Sequence, residues 1–280
     1  MATHTVTAPA PAGSLTTRLR WTVADGITLI GREVARLRQE PGELIAMLIF
    51  PAIMVVLFGY VFGSAIKVPG GGNYREYLMP GLFTMVTFTA TMGVTLRVAT
   101  DAARGVMDRF RSMPMARSAV AFGQSGADSL MGVLAMIVMV VTGLVVGWQA
   151  HRGVWPTAQA FLLLMLFRYA LGWLGVWFGL VVKNEEVADQ LIPLSLPVTM
   201  LSNSFVPTAG MPDWLRFIAD WNPVSALTAA CRKLFGNPGV PTGHTAWPIA
   251  HPVAAVLLWS VVLLAVFVPL SVRTYNRRGR

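Results

Sequence analysis

Residues 101–117 read DAARGVMDRFRSMPMAR and form a basic segment between the second and third of six long apolar runs. Written as a helix, the segment places Val106, Phe110 and Met113 on one face and charged side chains on the other. Pro114 then ends the helix, because proline has no backbone N–H to donate. Two interpretations are open: an amphipathic helix that receives a push from a soluble partner, or a solvated loop whose arginines fix membrane topology and contact anionic lipid.

The composition of the chain is that of a protein that crosses a membrane several times. Of 280 residues, 55% are hydrophobic and 12% are charged, whereas about a quarter of the residues in a soluble domain are charged. The net charge of +9 comes from arginines in loops without interleaved aromatic residues, so nucleic acid is not an expected partner. The single cysteine, Cys231, excludes an intrachain disulfide, and the four histidines lack the spacing of metal ligands. We expect no metal, no cofactor and no catalytic site.

The chain divides into a tail, an amphipathic helix and a region of six spans. Residues 1–14 are rich in Ala, Pro and Thr without periodicity, and we expect a disordered tail. Residues 15–40 repeat apolar side chains at helical spacing and predict a cytoplasmic interface helix, with packing on a soluble partner as the alternative. Residues 41–272 hold the spans, and residues 273–280 form a basic cytoplasmic tail. The spans are predicted at about 44–65, 77–96, 130–148, 161–182, 187–206 and 253–272, each sufficient to cross about 30 Å of hydrocarbon.

Six spans place both termini on one side of the membrane, and the positive charges select that side. The loops that share a side with the N-terminus contain about fifteen Lys and Arg residues, against six in the loops on the other side. Cytoplasmic loops carry the excess of positive charge in multi-pass proteins. The sequence therefore predicts a cell-membrane protein with both termini and residues 101–117 in the cytoplasm.

Arg168 and two prolines are the unusual residues inside the predicted spans. An arginine near the centre of a span costs about 2.5 to 3.5 kcal/mol on insertion scales. Arg168 lies only two turns after the predicted start of its span, so snorkelling to the outer interface, a structural ion pair and a place facing a substrate cavity are all open. Pro193 and Pro197 are expected to bend the fifth span, which makes the bend a candidate gate.

The segment between the fifth and sixth spans contains two predicted helices, which form an outer hairpin at about 207–236. The first repeats large apolar residues at i, i+3, i+4 and i+7: Trp214, Phe217, Ile218 and Trp221. The second is marked by an N-cap, a first-position proline, two cations that complement the helix dipole and a closing glycine: Asn222, Pro223, Arg232, Lys233 and Gly236. The hairpin either lies on the lipid surface or dips back between the spans and closes the exit of a pathway.

Three separated stretches together resemble one known family, the type-2 permeases of ABC exporters, and most closely the daunorubicin-resistance branch of drug and antibiotic exporters. The stretches are GREVARLRQEP at 31–41, RGVMDRFRSMPMARSAVAFGQ at 104–124 and LSNSFVPTAGMPDWLRFIADWNPVSALTAACRKLFG at 201–236. The resemblance extends from about residue 28 to the end of the chain, and the third stretch is its most specific part. It implies an all-α membrane protein of six transmembrane helices, with a cytoplasmic interface helix before them and an extracytoplasmic re-entrant hairpin between spans five and six.

In family terms, residues 101–117 form a coupling helix that contacts a separate ATP-binding subunit. The resemblance assigns this contact to Arg104, Asp108, Arg109, Phe110 and Arg111, and to Arg32, Glu33 and Arg36 on the interface helix. The chain has no G-x-x-x-x-G-K-[ST] loop to cradle the phosphates of ATP, so hydrolysis is expected in the separate subunit. Six spans are half of the usual transport unit of the family, which implies a second copy or a homologous permease chain.

The sequence as a whole predicts a permease subunit of an ATP-driven ABC exporter, in contact with membrane lipid, that moves an apolar or amphipathic small molecule such as a drug, an antibiotic or a lipid-like compound. The candidate pathway or gate residues are Arg168, Pro193, Pro197, Trp214, Asn222 and Pro223. Two alternatives are an ion-coupled carrier and a membrane resistance or assembly factor that transports nothing. A carrier needs acidic residues inside the spans, whereas Asp128 and Asp189 lie near the predicted span ends.

Overall fold

The fold was analysed in a computed structural model, which describes residues 41–61, 68, 71–104, 117–182, 184–239 and 246–277. The predicted tail (1–14), the predicted interface helix (15–40) and residues 105–116 of the basic segment lie outside these ranges. The α-helices in the described ranges are α1 (Pro41–Val56), α2 (Tyr74–Ala103), α3 (Arg117–Val146), α4 (Val154–Val181), α5 (Glu185–Leu191), α6 (Ser195–Met200), α7 (Asp213–Trp221), α8 (Pro223–Phe235), α9 (Trp247–Ala250) and α10 (Pro252–Arg277). A π-helical turn at Leu57–Val61 continues α1. The described part of the chain contains no β-strand.

Three helices in the described ranges are long and apolar enough to cross a membrane. They are Tyr74–Ala103, Val154–Val181 and Pro252–Tyr275, and they confirm the second, fourth and sixth apolar runs as long helices. Met131–Val146, within α3, is a shorter apolar stretch. The chain is therefore a helical protein with several candidate membrane spans.

Two helices begin well before the residues at which the hydropathy of the sequence starts their spans. α3 begins at Arg117, thirteen residues before the predicted start of the third span, and α4 begins at Val154, seven residues before its predicted start. Residues 101–103 likewise belong to the end of α2, so the basic segment is not a separate helix along its whole length. A span prediction counts apolar residues, whereas a helix needs only its backbone hydrogen bonds and tolerates polar residues that pair inside a bundle.

The directions of the long helices follow from their contacts. A Cβ on Gly175 of α4 would lie 2.6 Å from Thr91 O of α2, and one on Gly179 would lie 2.6 Å from Thr95 O. Equal steps of four residues in both helices mean that α2 and α4 run parallel. α3 runs antiparallel to both, since its C-terminal part lies beside the start of α2 while Asp128 lies beside the C-terminal part of α2. These alternating directions are those of successive crossings of one layer.

The core of the bundle lies near the start of α2, where α8 inserts among α2, α4 and α10. Ten of the thirteen residues of α8 are buried there. Four aromatic rings meet at this point, with centroids 5.2 to 5.9 Å apart: Phe83 of α2, Trp148 after α3, Phe161 of α4 and Phe235 of α8. Aromatic contacts of this geometry stabilise a fold by more than the burial of their apolar area alone. α8 is therefore an integral part of the bundle.

Candidate functional site

The predicted fifth span is not one continuous helix. α5 ends at Leu191, a 3-10 turn covers Ile192–Leu194, and α6 ends at Met200. Pro193 and Pro197 explain the interruption, because each lacks an N–H and its ring clashes with the carbonyl four residues earlier. The expected bend is a break in the helix, and the predicted continuation of the helix to residue 206 is wrong, since residues 201–206 form turns and bends.

This interrupted stretch, residues 185–206, is called the broken segment. It turns its polar side chains inward and its apolar side chains outward. Its buried polar residues are Ser195, Thr199, Ser202, Asn203 and Ser204. Ser202 Oγ donates to Ser204 Oγ over 2.8 Å, and Ser204 Oγ lies 2.9 Å from Thr228 Oγ1 of α8. Its exposed apolar residues include Leu194, Leu196, Val198, Leu201 and Val206. This arrangement is the reverse of that in a soluble protein and suits an apolar environment.

The turn after α6 is held by the first two turns of α2. The Tyr77 hydroxyl donates to Asn203 O over 3.1 Å, and the Tyr74 hydroxyl donates to Phe205 O over 3.3 Å. Gly81 of α2 leaves room for the carbonyl of Ser204, with which a Cβ at position 81 would clash. Buried carbonyls outside a helix need hydrogen-bond donors other than helical N–H groups. The two tyrosines of α2 supply two such donors.

Arg232 of α8 is a buried cation that binds carbonyl oxygens. Its Nε and Nη2 each donate to Tyr77 O over 3.1 Å, and Nη2 also donates to Ser204 O over 3.0 Å. The guanidinium carbon lies 3.7 Å from the centre of the Tyr77 ring, which adds a cation–π contact. The residue is 1% exposed. The sequence predicted only that Arg232 complements the dipole of a helix in an outer segment. In the structure its side chain joins α2, α8 and the turn after α6.

Asn222 and Pro223 start α8 as predicted, and Asn222 has a second role. Its side-chain oxygen accepts from Val224 N over 2.9 Å and caps α8. Its Nδ2 donates to the carbonyls of Val198 and Leu201 over 2.9 and 2.8 Å. These are carbonyls at the end of α6 that have lost helical partners. One side chain therefore begins α8 and ends α6, which fixes the break in place.

Arg168 is part of a buried ionic cluster formed by three helices. Its Nη2 donates to Asp128 Oδ1 of α3 over 3.0 Å, and Arg97 Nη2 of α2 donates to the same oxygen over 2.8 Å. α4 begins at Val154, so Arg168 lies fourteen residues, or about 21 Å, along the helix. It is 4% exposed. Snorkelling to the interface is therefore contradicted, and the alternative of an ion pair is what the structure contains. Asp128 is not near a helix end, since α3 begins eleven residues before it.

A comparison with known proteins decides the family. The sequence pattern of the family described as ABC-2 type transporter matches residues 26–235. The chain belongs to this ABC-2 type family. It is a multi-pass membrane protein and a permease, the membrane subunit of an ABC transporter.

Three relatives illustrate the range of the family. The daunorubicin resistance ABC transporter permease protein DrrB1 of Streptomyces coeruleorubidus is 30% identical, over 92% of this chain and 88% of the relative. The doxorubicin resistance ABC transporter permease protein DrrB of Mycobacterium tuberculosis is 28% identical, over 80% of each chain. The putative transport permease ycf38 of Porphyra purpurea is 23% identical, over 75% of this chain and 73% of the relative.

Of the residues that the ABC-2 resemblance assigns to the ATP-binding subunit, only Arg104 lies in the described part of the chain. Its Nη2 is 3.9 Å from Glu185 Oε1 at the start of α5, and both side chains are exposed. Such a pair contributes little to stability. Asp108, Arg109, Phe110, Arg111, Arg32, Glu33 and Arg36 lie outside the described residues.

The remaining candidate, Trp214, lies on the exposed face of α7 and is 67% exposed. Sequence reasoning missed the partners that matter most in this ABC-2 permease: Arg97, Asp128, Tyr74, Tyr77 and Arg232. The signal available for Arg232 was weaker, since it is one of two adjacent cations, with Lys233, in a helix that has no other charged residue. Asp128 and Arg97 carried no comparable signal, because their pairing depends on the register of three helices.

Proposed function

We propose that the chain is the permease subunit of an exporter that moves drug-like amphipathic molecules out of the cell, driven by a separate ATP-binding subunit. The observation that carries the proposal is the match over 92% of the chain to a permease named for daunorubicin resistance. A second relative is named for doxorubicin resistance. Both compounds are amphipathic, and the exposed apolar face of the broken segment is chemically suited to such molecules.

In this proposal the chain has six spans in the cell membrane, with both termini in the cytoplasm. The alternating directions of α2, α3 and α4 and the excess of positive charge on the N-terminal side support this topology. α7 and α8 then form a re-entrant hairpin that enters the bundle from the outer side. The burial of α8 among α2, α4 and α10 supports this part of the proposal.

The energy enters at the cytoplasmic end of α2 and α3. The ATP-binding subunit contacts the segment between them through Arg104, Asp108, Arg109, Phe110 and Arg111. The interface helix adds Arg32, Glu33 and Arg36 to the same contact. A second permease copy, or a homologous chain, completes the transport unit.

The gate in this proposal is the broken segment together with the start of α8. The 3-10 turn that contains Pro193 separates two short helices, the second of which contains Pro197, and a break of this kind permits a hinge movement. Asn222 and Pro223 connect the end of α6 to α8, so a movement of one is passed to the other. Trp214 places an aromatic ring at the outer membrane interface, where tryptophan is enriched.

The test is co-purification and transport with a double charge reversal. The tagged chain is solubilised from its native membrane, and the proteins that accompany it are identified, for the wild type and for Arg109→Glu with Arg111→Glu. Doxorubicin uptake is then measured in inside-out vesicles. We expect an ATP-binding subunit that is lost from the reversed variant, together with loss of ATP-dependent uptake.

The matched control reverses two exposed cations at the opposite end of the bundle, Arg152→Glu with Lys233→Glu. It changes the net charge equally and should leave both partner and uptake in place. Uptake that survives ATP depletion but collapses with an uncoupler would contradict the proposal and favour an ion-coupled carrier. A recovered partner without any uptake would favour an assembly factor.

A further inference from the structure

A single carboxylate connects three helices inside the bundle. Asp128 Oδ1 of α3 accepts from Arg97 of α2 and from Arg168 of α4, over 2.8 and 3.0 Å. The Arg168 side chain and the Asp128 side chain are 5% and 8% exposed, whereas the Arg97 side chain is 26% exposed. Removing Asp128 would leave two guanidiniums without the carboxylate that they share.

The position of this cluster along the chain is informative. Arg97 lies seven residues before Arg104, where α2 has ended, and Asp128 lies eleven residues after the start of α3. The Arg97 to Asp128 bond therefore joins the two helices that flank residues 105–116. Asp128 then passes the connection on to α4, which packs along α2 and α10.

The second half of the connection is built tightly. Arg168 Nε and Nη2 also donate to the backbone carbonyl of Asp128, each over 3.3 Å. The Arg168 side chain packs closely against α3 at Gly132, where an added Cβ would clash with Arg168 Nε. Arg168 is therefore held to α3 through both the side chain and the backbone of Asp128.

We propose that Asp128 is a positioning residue for transport, which transmits the displacement of the α2 and α3 ends to α4. The inference rests on the proposed function, because it requires that the segment between α2 and α3 receives the movement of the ATP-binding subunit. Asp128 contacts neither ATP nor, in this inference, the exported molecule. Loss of Asp128 uncouples ATP hydrolysis from export, so that hydrolysis continues while export fails.

The test uses two variants that each leave one neutral ion pair. Arg97→Gln keeps the pair of Asp128 with Arg168, and Arg168→Gln keeps the pair with Arg97, so neither leaves an isolated buried charge. Each is purified in complex with the ATP-binding subunit, placed in vesicles, and assayed for doxorubicin moved per ATP hydrolysed. We expect this ratio to fall at least about fivefold in both, the lower end of typical coupling between sites, while ATP hydrolysis continues.

Asp128→Asn is the third variant and should show the largest fall in the ratio. Arg97→Lys retains the charge and should restore most of the ratio that Arg97→Gln loses. Arg152→Gln, which removes an exposed guanidinium from the opposite end of the bundle, is the control and should leave the ratio unchanged.

The outcomes separate this inference from the proposed function. A wild-type complex that hydrolyses ATP but moves no doxorubicin contradicts the proposed function and removes the basis of the inference. With an active wild type, an unchanged ratio in Arg97→Gln or Arg168→Gln overturns the inference alone. A proportional fall in hydrolysis and export also overturns it, since that result indicates a structural role only.

Discussion

The contact between α2 and α4 leads to a sharp prediction about three glycines on one helix. Gly175 and Gly179 of α4 face the backbone of α2, and a Cβ on either would lie 2.6 Å from a carbonyl oxygen. A Cβ on Gly179 would also lie 2.6 Å from Val98 Cβ. Gly172, on the same helix, has nothing within 4 Å of such a Cβ. Glycines at an interface let two helices approach closely in a membrane protein.

The expected magnitude follows from these distances. Ordinary contact begins at 3.4 Å, so alanine at Gly179 overlaps its neighbours by 3.4 − 2.6 = 0.8 Å. Overpacking of this kind costs about 1 to 3 kcal/mol. Every glycine-to-alanine change in a helix interior also gains up to about 1 kcal/mol of helix propensity, and that gain is shared by all three positions. Gly179→Ala should therefore be less stable than Gly172→Ala by about 1 to 3 kcal/mol, with Gly175→Ala between them.

The measurement is denaturant unfolding of the three purified variants in the same detergent. Gly172→Ala serves as the matched control, because it makes the same chemical change on the same helix without the contact. The double variant Gly175→Ala with Gly179→Ala should cost less than the sum of its parts, since one shift of α4 relieves both overlaps. Equal unfolding midpoints for Gly172→Ala and Gly179→Ala would refute the close packing of α2 and α4.

Three further predictions concern the polar contacts. Asn222→Asp retains the cap of α8 but loses both amide donors to the end of α6, so it should lower stability in thermal unfolding by about 1 to 3 kcal/mol. Asn222→Ala also loses the cap and should lower stability further. Arg232→Met removes the donors from two buried carbonyls and should lower the unfolding temperature, despite the relief of a buried charge; an unchanged temperature would mean that the guanidinium is replaceable. Gly132→Ala should displace Arg168 from its carboxylate and lower doxorubicin export per ATP, and full export in this variant would argue against the cluster.

Both ends of α8 could be predicted from sequence because their signals are local. Asn222, Pro223 and Gly236 each act through backbone groups within a few residues, and the structure places all three as the pattern indicates. The positive φ of 76° at Gly236 is a backbone conformation that glycine adopts without strain. Signals of this kind do not depend on which other helices are nearby.

The ionic cluster could not be predicted, because it depends on helix length and register. The hydropathy pattern started the fourth span at about 161, two turns before Arg168, and left snorkelling, an ion pair and a place facing a cavity all open, whereas α4 begins at Val154 and buries the residue. Likewise the third span was expected to begin after Asp128, which lies well inside α3. A charged residue lowers the mean hydropathy of the surrounding sequence whether or not an ion pair neutralises it in the bundle. A prediction from hydropathy therefore ends a span at a charged residue that in fact lies inside the helix.

The division of the broken segment into two faces has a consequence for how this protein changes over generations. Its hydrogen bonds belong to side chains that point inward, and its large apolar side chains, such as Leu194 and Leu196, point outward. Exchange of one outward apolar residue for another alters no hydrogen bond of the break. Whatever molecule meets that surface, a new preference can therefore arise by single substitutions while the chain continues to fold, and selection can act on the two properties separately.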